Sequence, residues 1–221
     1  MSRPARPLER LRLLGGALPL DFVNSVDWRT SDRPVEYLTD YDALVRWSQR
    51  LGTLSGDQAT TLQAAAAGDP RAAATTLATL RRRREDLYAA LAALATGCRA
   101  DAGELDGLRR WYRSAVDAGT LRDDGDAFAL GWYGHDARLE RPGWPIADAA
   151  WRLLAGPMIG RIRMCPADGC GWLFVDRSKN GTRRWCSMEG CGARMKMRRA
   201  YARARKRAEA EASASPGDRP T

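Results

Sequence analysis

Histidine is almost absent. The 221 residues hold one, His135, so any metal site in this chain has to rest on cysteine. Long apolar runs are missing too. None reaches the roughly 18 residues that a membrane-spanning helix requires. The opening Met1-Ser2-Arg3-Pro4-Ala5-Arg6-Pro7 has no apolar core of the kind that directs secretion. The expectation is a cytoplasmic chain without a membrane partner, in which thiols stay reduced. There is no internal repeat and no sustained heptad, so neither a solenoid nor a coiled-coil dimer is written in the sequence. His135 stands beside Asp136, but no serine or cysteine nucleophile can be assigned to it. A structural or exposed role is expected for it.

What the sequence does have is a cluster of cysteines near its end. Cys165 and Cys170 are separated by four residues, and Cys186 and Cys191 repeat that gap fifteen residues later. Two such pairs can direct four thiolates at one tetrahedral zinc ion. Two disulfides or four buried thiols are the alternatives, but a reduced compartment disfavours the first. Four thiolates close the coordination sphere, which implies one structural zinc ion rather than a catalytic one. Cys98, the fifth cysteine, ends an Ala/Leu-rich stretch and reads as a small apolar filler. Between the pairs, Trp172-Leu173-Phe174-Val175 is strand material, Lys179-Asn180-Gly181 is a turn signal, and Arg183-Arg184-Trp185 reads as the returning strand. A helix follows Cys191. Trp172, Phe174 and Trp185 are expected to form the small core of this module, which would not hold without metal.

Charge is concentrated on the same segment. The chain has a net charge of +9, yet residues 161–207 hold 14 Lys+Arg against 3 Asp+Glu, leaving 22 against 24 elsewhere. A basic surface on a zinc module is the footprint of a nucleic-acid binder. In the helix, Ala193, Met197, Tyr201 and Ala204 share one side and read as a packing stripe. Arg194, Lys196, Arg198, Arg199 and Arg203 are left to face a major groove. The loop adds Arg177, Lys179, Asn180, Arg183 and Arg184, chiefly as phosphate contacts. RNA binding would need exposed aromatics for stacking, and the module needs its own for a core.

The region before residue 157 reads as mainly helical. Thr39, Ser55, Asp69-Pro70 and Asp101 with Glu104 look like helix starts. The stripe Leu77, Leu80, Leu87, Leu91 and Leu94 runs through the longest helix. Arg81-Arg82-Arg83-Arg84 interrupts it and reads as solvated. Residues 121–133 read as a hairpin around an acidic Gly turn. Pro145 opens a last helix, and Gly156-Pro157 ends it. In Leu20-Asp21-Phe22-Val23-Asn24-Ser25-Val26-Asp27-Trp28, the polar residues are expected to cap and face solvent. The divisions are a helical domain at 1–157, a basic zinc module at 161–208 and a disordered tail at 210–221. The short, partly apolar link at 157–164 implies that the module packs on the helical domain. The fold class is mainly α with a small β-hairpin, followed by a treble-clef-like zinc finger.

The run Cys165-Pro-Ala-Asp-Gly-Cys-Gly-Trp-Leu-Phe-Val-Asp, with Ser178-Lys-Asn and Arg183-Arg-Trp-Cys-Ser-Met, resembles the CGNR zinc-finger family. The stretch Leu20-Asp-Phe-Val-Asn-Ser-Val-Asp-Trp-Arg29 resembles the opening of the ABATE domain that precedes such fingers. The resemblance covers nearly the whole chain. It implies a bacterial, stress-induced transcription regulator, with zinc ligands Cys165, Cys170, Cys186 and Cys191 and duplex DNA as partner. One departure is Ala193, which stands where the family motif has asparagine. A small-molecule effector and a homodimer are further partners that the helical domain could serve. A zinc-stabilised RNA- or protein-binding adaptor stays open. An enzyme would need converging catalytic groups, and none can be assigned.

Overall fold

The computed structural model describes residues 7–123 and 125–214, with side chains through residue 210. Seven α-helices lie among them: α1 (Leu18–Val23), α2 (Tyr41–Arg50), α3 (Gly56–Gly68), α4 (Pro70–Ala95), α5 (Ala102–Asp117), α6 (Gly143–Ala155) and α7 (Ala193–Ala214). Three antiparallel strand pairs accompany them. They are β1 (Val26–Asp27) with β2 (Val35–Glu36), β3 (Thr120–Asp123) with β4 (Phe128–Gly131), and β5 (Ile162–Met164) with β6 (Leu173–Val175). No helix among the described residues is long and apolar enough to cross a membrane.

Local chemistry starts the helices largely where the sequence predicts. The Ser55 hydroxyl accepts from Gln58 N at 3.2 Å, and the Gln58 side chain accepts from Ser55 N at 3.0 Å, closing a capping box on α3. Asp69 caps α4 ahead of Pro70, and Asp101 with Glu104 closes a second box on α5. For α2 the cap is Asp40, one residue after the expected Thr39; its carboxylate accepts from Ala43 N at 2.7 Å. The last helix before the module begins at Gly143, ahead of the expected Pro145. Helix α7 continues through 210–214, where a disordered tail was expected; residues 215–221, like 1–6 and Asp124, lie outside the described residues.

One hydrophobic core runs through the chain. Phe22 of α1, Trp47 of α2, Leu87 and Leu91 of α4, Trp111 of α5 and Ile146 of α6 meet in it, and it is continuous with Leu173, Phe174 and Val175 of β6. Phe22 lies 5.6 Å from the Trp47 ring and 6.1 Å from Trp111. Leu121 and Phe128 of the β3–β4 hairpin stand in solvent.

Two expectations about polar residues give way. Asp21 and Asn24 are buried rather than exposed. Asp21 accepts from Gly15 N at 2.8 Å, and burial raises its carboxyl above the ordinary range. The four-arginine run is not a solvated segment either. Consecutive residues on a helix are about 100° apart, so one of them must face inward, and that is Arg84. Its guanidinium donates to both Glu36 carboxylate oxygens (2.8 and 2.6 Å), to Glu85 (2.9 Å) and to the Ser25 hydroxyl (2.9 Å). Burial opposes its charge, but the Glu36 and Glu85 carboxylates outweigh burial and hold its pKa above the usual value.

Arg84→Ala removes the bidentate partner of Glu36, leaving it Leu38 N and the more distant Arg81, and takes one of the Ser25 hydroxyl's two bonds. It should destabilise the protein by about 3 kcal/mol, discounted because Glu36 keeps some solvent, and lower Tm by roughly 6–12 °C. Thermal unfolding followed by circular dichroism measures this; a fall below about 2 °C would mean the buried pair contributes nothing.

Candidate metal centre and nucleic-acid interface

The turn between β5 and β6 carries the first cysteine pair. Cys165 N donates to Trp172 O at 2.8 Å and Cys170 N to Ala167 O at 2.8 Å, folding residues 165–172 into a knuckle. The partner of β6 is therefore Ile162–Met164, ahead of the first cysteine, and not the expected 183–185. Residues 183–185 form no strand. The second pair comes just before α7, where Met188–Gly192 makes a single wide i→i+5 turn that the Ser187 hydroxyl caps, accepting from Gly190 N at 3.1 Å. This turn carries Cys191 toward Cys186.

The four sulfurs lie within 4.8 Å of one another and all four cysteines are buried. Cys170 and Cys186 Sγ are 3.7 Å apart, and Cys186 and Cys191 Sγ 3.5 Å. A tetrahedral zinc with sulfur at ~2.3 Å has edges of about 3.8 Å, so the donors fit. Interaction with the other three sulfurs holds the Cys165 thiol far below its ordinary range, whereas Cys165 and Cys186 push Cys170 far above. A cation at the centre is what lets all four become thiolates. The four cysteines form one structural zinc site, and zinc would supply a closed tetrahedral anchor there. Cys98, by contrast, is exposed and apart from the cluster rather than filling a core.

The helical region roofs this site. Asn24 accepts from Leu173 N at 2.9 Å and donates to Leu173 O at 2.8 Å, pairing with β6 as a strand would. Trp172 Nε1 donates to Val26 O at 2.9 Å, Arg29 N to Cys170 O at 3.2 Å, and Tyr88 Oη to Gly171 O at 3.0 Å. Gly171 has φ +64°, and a Cβ there would come within 2.5 Å of Thr30 Cγ2. Trp28 has φ +53°, rare for a bulky side chain. Its ring lies against Gly169 and carries the Arg194 guanidinium 4.4 Å above it.

The predicted nucleic-acid residues fall into two groups. In the first, the guanidiniums are engaged internally. Arg183 donates to the carbonyls of Trp185 (3.1 Å) and Cys186 (2.6 Å), reaches Val175 O and Leu14 O at 3.4 Å, and lies 4.3 Å above Phe174. Arg177 donates to Gly16 O at 2.8 Å, Arg194 to Asp168 O at 3.2 Å, and Arg198 pairs with the Asp168 carboxylate. In the second group, Lys179, Asn180, Lys196, Arg199 and Arg203 are exposed. Arg184 is exposed as well, resting 5.0 Å from the Trp185 ring. The stripe on α7 packs on nothing: Met197 is 72% and Tyr201 73% exposed, and Ala193 is exposed beside them.

The loop between the pairs is organised by Asp176, which sequence reasoning passed over. Its carboxylate accepts from the Ser178 hydroxyl (2.6 Å), Ser178 N (2.9 Å) and Arg183 N (3.1 Å). Led by the Ser178 hydroxyl, these bonds hold its carboxyl below the ordinary range. The turn that presents Lys179 and Asn180 is thus at full strength above the unfolded carboxylate pKa and weakens as pH falls through the folded one. The Asp at the end of a Trp-Leu-Phe-Val strand, two residues before a serine, was the readable signal. His135 packs edge-on against Trp144 at 5.9 Å, a structural placement.

Comparison with known families matches residues 16–157 to ABATE, described as "Putative stress-induced transcription regulator", and residues 161–204 to the CGNR zinc finger. No curated protein matches the chain. Neither matched description is that of an enzyme.

Because zinc site and helical region share one core, chelation should lower the melting temperature of the whole chain by about 10 °C or more. A melt of the helical region that ignores zinc would contradict this. Gly171→Ala should shed zinc to a chelator faster than the parent protein, as read by a colorimetric zinc indicator, with retention at the parental rate as the contrary result.

Proposed function

The chain belongs to the ABATE family, and from that premise we propose that it is a zinc-dependent transcription regulator that grips duplex DNA with one arc of helix α7 and the adjoining loop. Its helical region then senses an effector or binds a second copy. One observation carries this reading: how the cations divide around α7. At about 100° per residue, Lys196, Arg199, Arg203, Lys206 and Arg207 occupy one arc of roughly a quarter turn. None of them has an ion-pair or hydrogen-bond partner among the described residues. Arg194, Arg198 and Arg205 occupy the opposite side. The first two are turned toward Asp168 and Trp28, and Arg205 pairs with Glu209 at 3.1 Å.

The helix has 22 residues, so it is about 33 Å long, close to one turn of duplex. Helix α7 contacts chiefly the wide turn at its own base. Such a helix, anchored at one end by zinc, can lie in a major groove about 12 Å wide. Arg184 and Lys179 stand on the same module to hold flanking phosphates. Arg183 is left out of this interface because its guanidinium belongs to the fold. Single-stranded RNA is the weaker reading, because Trp172 and Phe174 are buried and unavailable for stacking.

The test is fluorescence anisotropy with labelled duplex DNA across a salt series. Alanine at Lys196, Arg199 and Arg203 together should cut affinity by about a hundredfold or more, and reduce the slope of log affinity against log salt by about one per contact. Helix content and zinc should stay unchanged. Chelation should abolish binding. Undiminished affinity in the triple variant would sink the helix as contact surface, and displacement of DNA by unstructured RNA at equal concentration would favour the RNA reading.

A further inference from the structure

A cavity lies far from the zinc site in sequence, between the end of α4, the start of α5 and the end of α6. Its volume is about 880 Å³, within the range of small-ligand sites of roughly 300–1,000 Å³. Apolar side chains line it: Leu94, Leu105, Leu108, Trp151 and Leu154. Three of these are unusually open for their type, with Leu94 45%, Leu105 44% and Trp151 39% exposed. Trp151 is nevertheless fixed, because its ring stacks on Tyr112 at 4.6 Å with planes 4° apart. The floor is therefore preformed and apolar, yet uncovered.

The rim is cationic. Arg99 lines the cavity and has no ion-pair or hydrogen-bond partner among the described residues. The Asp106 carboxylate, also in the lining, is already shared by Arg109, at 2.8 and 3.0 Å, and by Arg110, which lies outside it. These two arginines hold its carboxyl below the ordinary range, so it stays an anion that only partly offsets them. Two guanidiniums of the lining, Arg99 and Arg109, against one carboxylate leave net positive charge at the mouth of an apolar trough.

We infer that this trough binds a small amphipathic carboxylate, its apolar body on Trp151 and the leucines and its carboxylate on Arg99. This deepens the effector-sensing half of the function proposed above and rests on it. A second copy of the chain is a poorer occupant. The trough is concave, and its few apolar side chains fall well short of the roughly 800 Å² per partner that a stable interface buries. The wall formed by Leu154 and Ala155 runs directly into Gly156 and the turn Pro157–Arg161 that leads to β5. The site is thus joined to the zinc knuckle by a short stretch of chain.

Cys98 lines the same cavity and is exposed, so its alkylation reports occupancy without any DNA. In the zinc-loaded full chain, N-ethylmaleimide should add once, at Cys98, as intact mass shows and Cys98→Ser abolishes. Octanoate should slow this addition in a saturable way, and octyltrimethylammonium should need about tenfold higher concentration for the same protection. Arg99→Glu should erase that preference, each variant being judged against its own ligand-free rate. Absence of protection by octanoate, or equal protection by both amphiphiles, would overturn the proposal. So would protection that instead follows protein concentration and accompanies a dimer in sedimentation. Because the readout omits DNA, its failure is separable from failure of DNA binding.

Discussion

The arrangement depends on an asparagine that acts as a strand. Asn24 follows helix α1 as its C-terminal cap residue and is almost fully buried. Its side-chain amide supplies one donor and one acceptor, and β6 offers one of each at Leu173. Strand β6 is thus bounded by β5 on one edge, and on the other by the Asn24 side chain at Leu173 and by Gly15 O at Val175 N. Without that amide, Leu173 would keep an unpaired N–H and C=O in an apolar core, at about 1–3 kcal/mol each. No aliphatic residue can take its place, and aspartate could accept but not donate. The knuckle, the cysteine geometry and the start of α7 all hang from β6, so their positions are referred back to α1.

The second organising principle is the sorting of arginines. Arg84 and Arg183 are interior fasteners, each bonded to several groups from separate segments. The planar, five-donor guanidinium suits that role. On α7, Arg194 and Arg198 brace the helix against the knuckle, stacking on Trp28 and pairing at Asp168. This bracing fixes the rotation of the helix about its own axis. The opposite arc then keeps its cations exposed and unneutralised. A net charge alone says nothing of direction; the internal pairs supply it.

Much of this was legible in the residues. Cysteine spacing marked the metal site, and Ser55 with Gln58, Asp69 with Pro70 and Asp101 with Glu104 marked helix starts, because capping is decided within four residues. What stayed hidden depends on distant partners. Asn24 looks like any polar cap until Leu173, 149 residues away, is beside it. Arg84 cannot be told from its three neighbours without knowing which way α4 is turned. The partner of β6 was misassigned because the three-residue β5 sits before the first cysteine and carries no turn signal of its own. Met197 and Tyr201 have the spacing of a packing stripe, and spacing alone cannot say whether anything faces them.

The roof over the knuckle bears on how such a protein can be reassembled. In sequence, the helical and zinc-bearing segments abut as two separable blocks. In packing they share one core and the hydrogen bonds of Asn24, Val26, Arg29 and Tyr88. A zinc segment grafted onto a foreign scaffold would arrive with β6 half-paired and Gly171 uncovered. Exchange between such proteins is therefore conservative only when the stretch near residues 14–30 travels with the cysteines. The unit of inheritance is discontinuous, its two parts separated by more than a hundred residues that include five helices and a hairpin.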